Sequence, residues 1–276
     1  MASEIAQIDW SRPWYDAVRP AYEALGLEGE AFAAAFNRQA ARLALRNHRD
    51  LAVSFVAQEA LPDGTAYEEF ISVTGQVPTR DNLHDFFNGL VWQTFPLIKR
   101  ELNALQAAQI AAAGGNKARG PARDAATIFD ENAALLVVRA SSDGRALVDE
   151  LRAHCWDAAL FEKRAMFGPD AQLWLFGHAL MEKLVAPRKA ITAHIRVVFA
   201  QDVFFTMDAD ARRGWIDATV AQLLRAEGLS TSSFTPLPVL GVPGWWPGQD
   251  QAFYMDTTVF RPKRPAALQP DRSAHD

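Results

Sequence analysis

Hydrophobic positions recur at helical spacing along most of this chain. Leu83, Phe87, Leu90, Val91 and Thr94 repeat at intervals of three and four and predict the core face of a helix. Thr79 or Asn82 can cap its start, and Pro96 ends it and can open a second helix over residues 97–112 before Gly114-Gly115. The same reasoning predicts helices over residues 16–26, 29–49 and 143–161, from Pro169-Asp170 to just before Pro187, and from Asp208 or Asp210 to a C-cap at Gly228. Two stretches break this period. In "TIFDENAALLVV" short apolar runs flank Asp130-Glu131-Asn132, which predicts a hairpin turning there, and "AITAHIRVVFA" is branched enough for a strand. "TPLPVLGVPGWWPGQD" is too dense in proline and glycine for a long element, and "QAFYMDTTVFRP" after it reads as a strand pair or an extended arm. The expected fold is α+β: one mainly helical domain over residues 1–263, a small antiparallel sheet or hairpin packed on one side, and a disordered tail over residues 264–276.

Composition narrows the class. Of 276 residues, 49% are hydrophobic and 22% charged, which suits a packed globular chain and not a disordered one. The single cysteine, Cys155, excludes an intrachain disulfide framework and any multi-cysteine metal site; a buried, inert thiol is expected. No basic-then-apolar leader and no apolar run of about eighteen residues is present, so the expectation is a cytoplasmic protein without a membrane segment. A net charge of -5 disfavours nucleic acid as a partner. The basic stripe of Arg38, Arg42, Arg46 and Arg49 reads as a solvated face. Glycine-rich nucleotide loops, the G-x-S-x-G elbow and H-E-x-x-H are all missing, which removes the commonest nucleotide and hydrolase readings.

Three polar groups remain as candidate chemistry. His84 and Asn88 share a helix flank with Arg80 a turn before, while Asp81 and Asp85, four apart, can share a divalent ion or split their pKa values. The competing explanation is capping, because aspartates gather in first turns anyway. His178 and Glu182 are also four apart, in line with Trp174 beside a stripe of Leu173, Phe176, Leu180 and Leu184. There a carboxylate can orient an imidazole, with Gly177 permitting close approach of another element. The loop "GGNKARGPARD" brings Lys117, Arg119 and Arg123 as anion binders, and Trp245 and Trp246 offer either a stacking wall or a core plug.

The blocks "GQVPTRDNLHDFFNGLVWQTFPLIKRELN", "RDAATIFDENAALL", "FGHALMEKLVAPRKAITAH" and "LGVPGWWPGQDQAFYMDTTVFRP", in that order, resemble the bacterial family catalogued as domain of unknown function 3025, over about residues 10–263. The resemblance implies a signature of Arg80, His84, Asp85 and Asn88; Arg123, Asp124, Asp130, Glu131 and Asn132; His178, Glu182 and Lys183; and Trp245, Trp246 and Pro247. Leu83 stands where that family carries tryptophan, and no reaction is implied. Three readings stand together. One is a hydrolase-type enzyme in which His84 and His178, supported by Asp85 and Glu182, activate water directly or through a divalent ion, with Arg80, Asn88, Arg123, Trp245 and Trp246 binding a small anionic substrate. The others are a non-catalytic ligand- or protein-binding module and a structural protein whose polar signature caps and pins the fold. The first requires the two histidine helices to line one hollow.

Overall fold

In the computed structural model, which describes residues 2–27, 30–112 and 121–263, helices dominate and a small sheet packs against them. Strands β1 (Ser54–Ala57) and β2 (Gln76–Thr79) form a separate parallel pair. The main sheet comprises β3 (Ala133–Arg139), β4 (Ala171–Leu175), β5 (Thr192–Ala200) and β6 (Thr235–Pro238), in the spatial order β4-β3-β5-β6. From Ala133 to Val138 every residue of β3 is buried, as befits a central strand covered on both faces. It runs parallel to β5, and the two edge strands are antiparallel to their neighbours. Pro236 and Pro238 lie in β6, an edge strand, where a missing N–H is tolerated. No helix among the described residues is long and apolar enough to cross a membrane.

Several local expectations are corrected. Asp130-Glu131-Asn132 do not form a hairpin turn: the helix Pro121–Asn132 ends with them and passes directly into β3. Ala125, Ala126 and Phe129 are fully buried along that helix, so the period here is helical and β3 finds its partners far away in sequence. Residues 171–184 are not one helix. Ala171–Leu175 pairs with β3, and only His178–Lys183 is helical, because long-range pairing outweighs the apparent period. Trp174 therefore does not share a helix flank with His178. The helix expected over residues 29–49 stops at Arg42, after which Ala44 has φ 49° and Arg46 bridges Ala52, so the arginine stripe is not continuous. Residues 251–262 hold a single helical turn, Gln251–Tyr254, rather than strands, and Cys155 is exposed. The end of the chain from residue 264 lies outside the described residues.

One buried apolar cluster includes residues from Ile5 to Phe260, and the helix Leu83–Thr94 is buried in it from Asp85 to Thr94. Asn82 caps this helix by accepting from the Asp85 N–H at 2.8 Å, while Thr79 belongs to β2. Tyr15 ties the helix to His178–Lys183: its ring stacks on Phe87 and its hydroxyl donates to the Met181 carbonyl at 3.1 Å. The helix Pro96–Ala112 starts on Asp217, whose carboxylate accepts from the Leu97 and Ile98 N–H groups at 3.0 and 2.9 Å. An Asp217→Ala variant should lose about 1–2 kcal/mol with this cap, read as a lower urea midpoint at unchanged slope.

Candidate metal centre

Three helices deliver one donor each to a common point. His84 projects from the first turn of Leu83–Thr94, Glu131 from the last turn of Pro121–Asn132, and His178 opens His178–Lys183. Gly177 sets the last of these. Its N–H donates to the Ala133 carbonyl at 2.7 Å, and a Cβ there would stand 2.6 Å from Glu131 O, Asn132 N and Ala133 N. Only a residue without a side chain lets the His178 helix begin against the helix-to-strand junction that carries Glu131.

His84 Nε2 and His178 Nε2 are 3.0 Å apart, and Glu131 Oε2 lies 3.9 Å from the first and 3.6 Å from the second. These separations put the point equidistant from all three atoms about 2 Å from each, the bond length of zinc to imidazole nitrogen or carboxylate oxygen. The outer nitrogens fit the same picture. His84 Nδ1 is 3.0 Å from Glu182 Oε2 and so donates its proton to that carboxylate. His178 Nδ1 is buried and has no hydrogen-bond partner among the described residues. With its proton on Nδ1, His84 turns an Nε2 lone pair toward His178 Nε2, which without a metal donates to it at 3.0 Å; a metal ion in this place requires His178 to carry its proton on Nδ1 instead. Burial pushes the His178 imidazole down to about 4, so it is neutral near pH 7. Together these residues form a His/His/Glu cluster capable of holding a metal ion.

The cluster faces a cavity of about 400 Å³. Lys99, buried under it, donates to Asp130 at 2.7 Å and to Asn88 at 2.9 Å, and Asn88 in turn donates to the Tyr67 hydroxyl at 3.2 Å. Burial works against the Asp130 charge, yet the Lys99 ammonium, by its charge and its hydrogen bond, holds that carboxyl below the usual range. Glu68, which also lines the cavity, is raised to about 7, chiefly by burial. A carboxyl raised on folding favours the folded state while protonated, so stability from this group is full below about pH 4.5 and is lost as pH rises through about 7. Glu68→Gln should flatten that part of the pH dependence, measured as urea midpoints between pH 4.5 and 8.

The residues singled out in the sequence meet this site unequally. His84 and His178 converge, but their carboxylate partners differ from expectation. Glu182 supports His84 rather than His178, and Asp85 takes the Arg80 guanidinium through two contacts of 3.0 Å instead of supporting His84. Asp81 is exposed and lines a different hollow, so it forms no pair with Asp85. Arg80, Asn88 and Arg123 line the cavity; Arg123 belongs to the helix Pro121–Asn132 and has no ion-pair partner among the described residues. Arg119 and Lys117 lie outside the described residues. Trp245 lines a separate hollow beside Trp14, at 6.2 Å between ring centres, and Trp246 packs partly buried on the core. Sequence reasoning treated Glu131 as a turn former and passed over Lys99. The available signal was the run Lys99, Asn103 and Gln106, polar at intervals of four and three in a helix that buries all three.

A family model described as a protein of unknown function, DUF3025, matches residues 53–264, a span that contains all three donors and every described residue of the cavity wall. No curated protein and no solved structure matches the chain.

Proposed function

Since the chain belongs to the DUF3025 family, whose function is unknown, its chemistry has to be read from the cavity, and we propose that it is a hydrolase that works on a small anionic substrate with a divalent metal, zinc by preference, on His84, His178 and Glu131. The observation that carries this reading is the common centre about 2 Å from two imidazole nitrogens and one carboxylate oxygen, a donor set that leaves a coordination position open to the cavity. An ion held there supplies Lewis acidity and lowers the pKa of a coordinated water toward neutrality. Glu182 fixes the His84 tautomer. Arg123 lines the cavity without an ion partner among the described residues and offers its guanidinium to an anionic group of the substrate. In hydrolysis the water oxygen bonds to the acyl or phosphoryl centre, the bond to the leaving group breaks, and a water proton ends on the leaving atom.

The test uses the full chain, purified without an affinity tag, stripped of metal and reloaded with zinc, against a panel of carboxylic esters, phosphate esters and short amides. The reading expects zinc-dependent turnover that disappears in Glu131→Ala while the thermal midpoint of the metal-free protein stays within a few degrees. Turnover unaffected by zinc or by Glu131→Ala, or zinc bound with no turnover across the panel, overturns the hydrolase.

A further inference from the structure

The charges around the cavity do not all cancel. Arg80 is engaged by Asp85 and Lys99 by Asp130, and Glu131 belongs to the His/His/Glu cluster. Two wall residues are left over with opposite signs. Arg123 has no carboxylate partner among the described residues. Glu68, raised to about 7 and so a carboxylate above neutrality, forms no ion pair among them, the Lys99 ammonium acting on it only from beyond ion-pair distance; its oxygens meet amides, Asn103 Nδ2 at 2.8 Å and the Gln106 nitrogen at 2.9 and 3.0 Å once that amide is turned nitrogen-inward. These two side chains line one space of about 400 Å³ without reaching each other. At roughly 30 Å³ per water, that is room for about a dozen waters, or for a ligand the size of an amino acid or a dipeptide. A purely anionic ligand would satisfy Arg123 and lie in the field of the Glu68 carboxylate, and a purely cationic one would do the reverse. In a half-enclosed space of lowered dielectric neither mismatch is screened well.

We infer that the cavity selects a small zwitterion, a short peptide or amino-acid derivative, whose ammonium group sits on Glu68 and whose carboxylate sits on Arg123, leaving the bond between them exposed toward His84, His178 and Glu131. This rests on the reading above for its metal, but the recognition half stands on Glu68 and Arg123 alone. Tyr67 and Asn88 supply neutral hydrogen-bonding positions on the same wall, and Leu61 and Ile110 supply apolar surface for a side chain.

Zinc is first titrated into the metal-free full-length protein by calorimetry, which decides the metal reading separately. Glycylglycine, N-acetyl-glycylglycine and glycylglycine amide are then titrated into both the zinc-loaded and the metal-free protein at pH 8. The inference expects glycylglycine to bind at least tenfold more tightly than either blocked form. It also expects Glu68→Gln to remove the penalty on the N-acetyl form only, and Arg123→Ala the penalty on the amide only. Arg123→Ala should melt within a few degrees of the parent, and Glu68→Gln, which removes a buried carboxylate ionised at pH 8, at or above it. Equal affinity for all three compounds, no binding of any, or loss of both penalties in either single variant overturns the zwitterion, whatever the zinc titration gives. Zinc failing to bind while the penalties persist removes the metal reading and leaves this one standing.

Discussion

Alanine at Glu131 is expected to lower zinc affinity by well over a hundredfold while leaving the metal-free protein folded. Glu131 contributes the one charged donor of the three, and its side chain is about a third exposed, so its removal opens no cavity in the core. Loss of an outer partner of a ligating histidine typically costs 10- to 100-fold in metal affinity, and loss of a donor has to exceed that. Glu182→Gln, which weakens only the acceptor on His84 Nδ1, therefore gives the internal scale. Competition with a chelator of known affinity reads both variants on one axis. Glu131→Ala falling no further than Glu182→Gln would mean that Glu131 is not a donor.

The second large effect belongs to Gly177→Ala. An added methyl group would stand 2.6 Å from three main-chain atoms of Glu131, Asn132 and Ala133, none of which is the loose end of a side chain. Something in the backbone must move, and overpacking of this kind costs about 1–3 kcal/mol or more. The Gly177 N–H bond to Ala133 O, the Ala133 start of β3 and the placement of His178 beside Glu131 are all strained by the same displacement. The variant should therefore lose stability and zinc affinity together, seen as a lower urea midpoint and a weaker zinc titration. Exchange of a buried apolar residue that does not line the cavity, such as Leu224→Ala, should lower stability alone.

Sequence alone made part of this legible. The helix over Leu83–Thr94, the helix opened by Pro96, the strand at Thr192–Ala200 and the long helix ending at Gly228 all carry local signals in the form of caps, prolines and period. The paired region around Ala171–Leu175 does not. Its apolar residues also fit a helix, and only its antiparallel register with β3, some forty residues upstream, makes it a strand. Glu131 was misplaced for a related reason: the polar triplet between two apolar runs looks like a turn when the helix before it cannot be seen ending on the strand after it. The candidate histidines were readable because each is a polar residue at the flank of an apolar face. Which carboxylate each would meet was not, since His84 and Glu182 are 98 residues apart and come together through tertiary packing in which Tyr15 links Phe87 and Met181. The four-residue spacing of His178 and Glu182 suggested a partnership that the helix does not form; Glu182 reaches across to the neighbouring helix instead.

The most direct test is a crystal of the protein soaked in zinc and recorded at the zinc absorption edge. The account predicts one strong anomalous peak about 2 Å from His84 Nε2, His178 Nε2 and a Glu131 carboxylate oxygen, absent from Glu131→Ala crystals soaked in the same way. A crystal with no peak there, the two imidazoles joined instead by an ordinary N–H···N hydrogen bond, would contradict it.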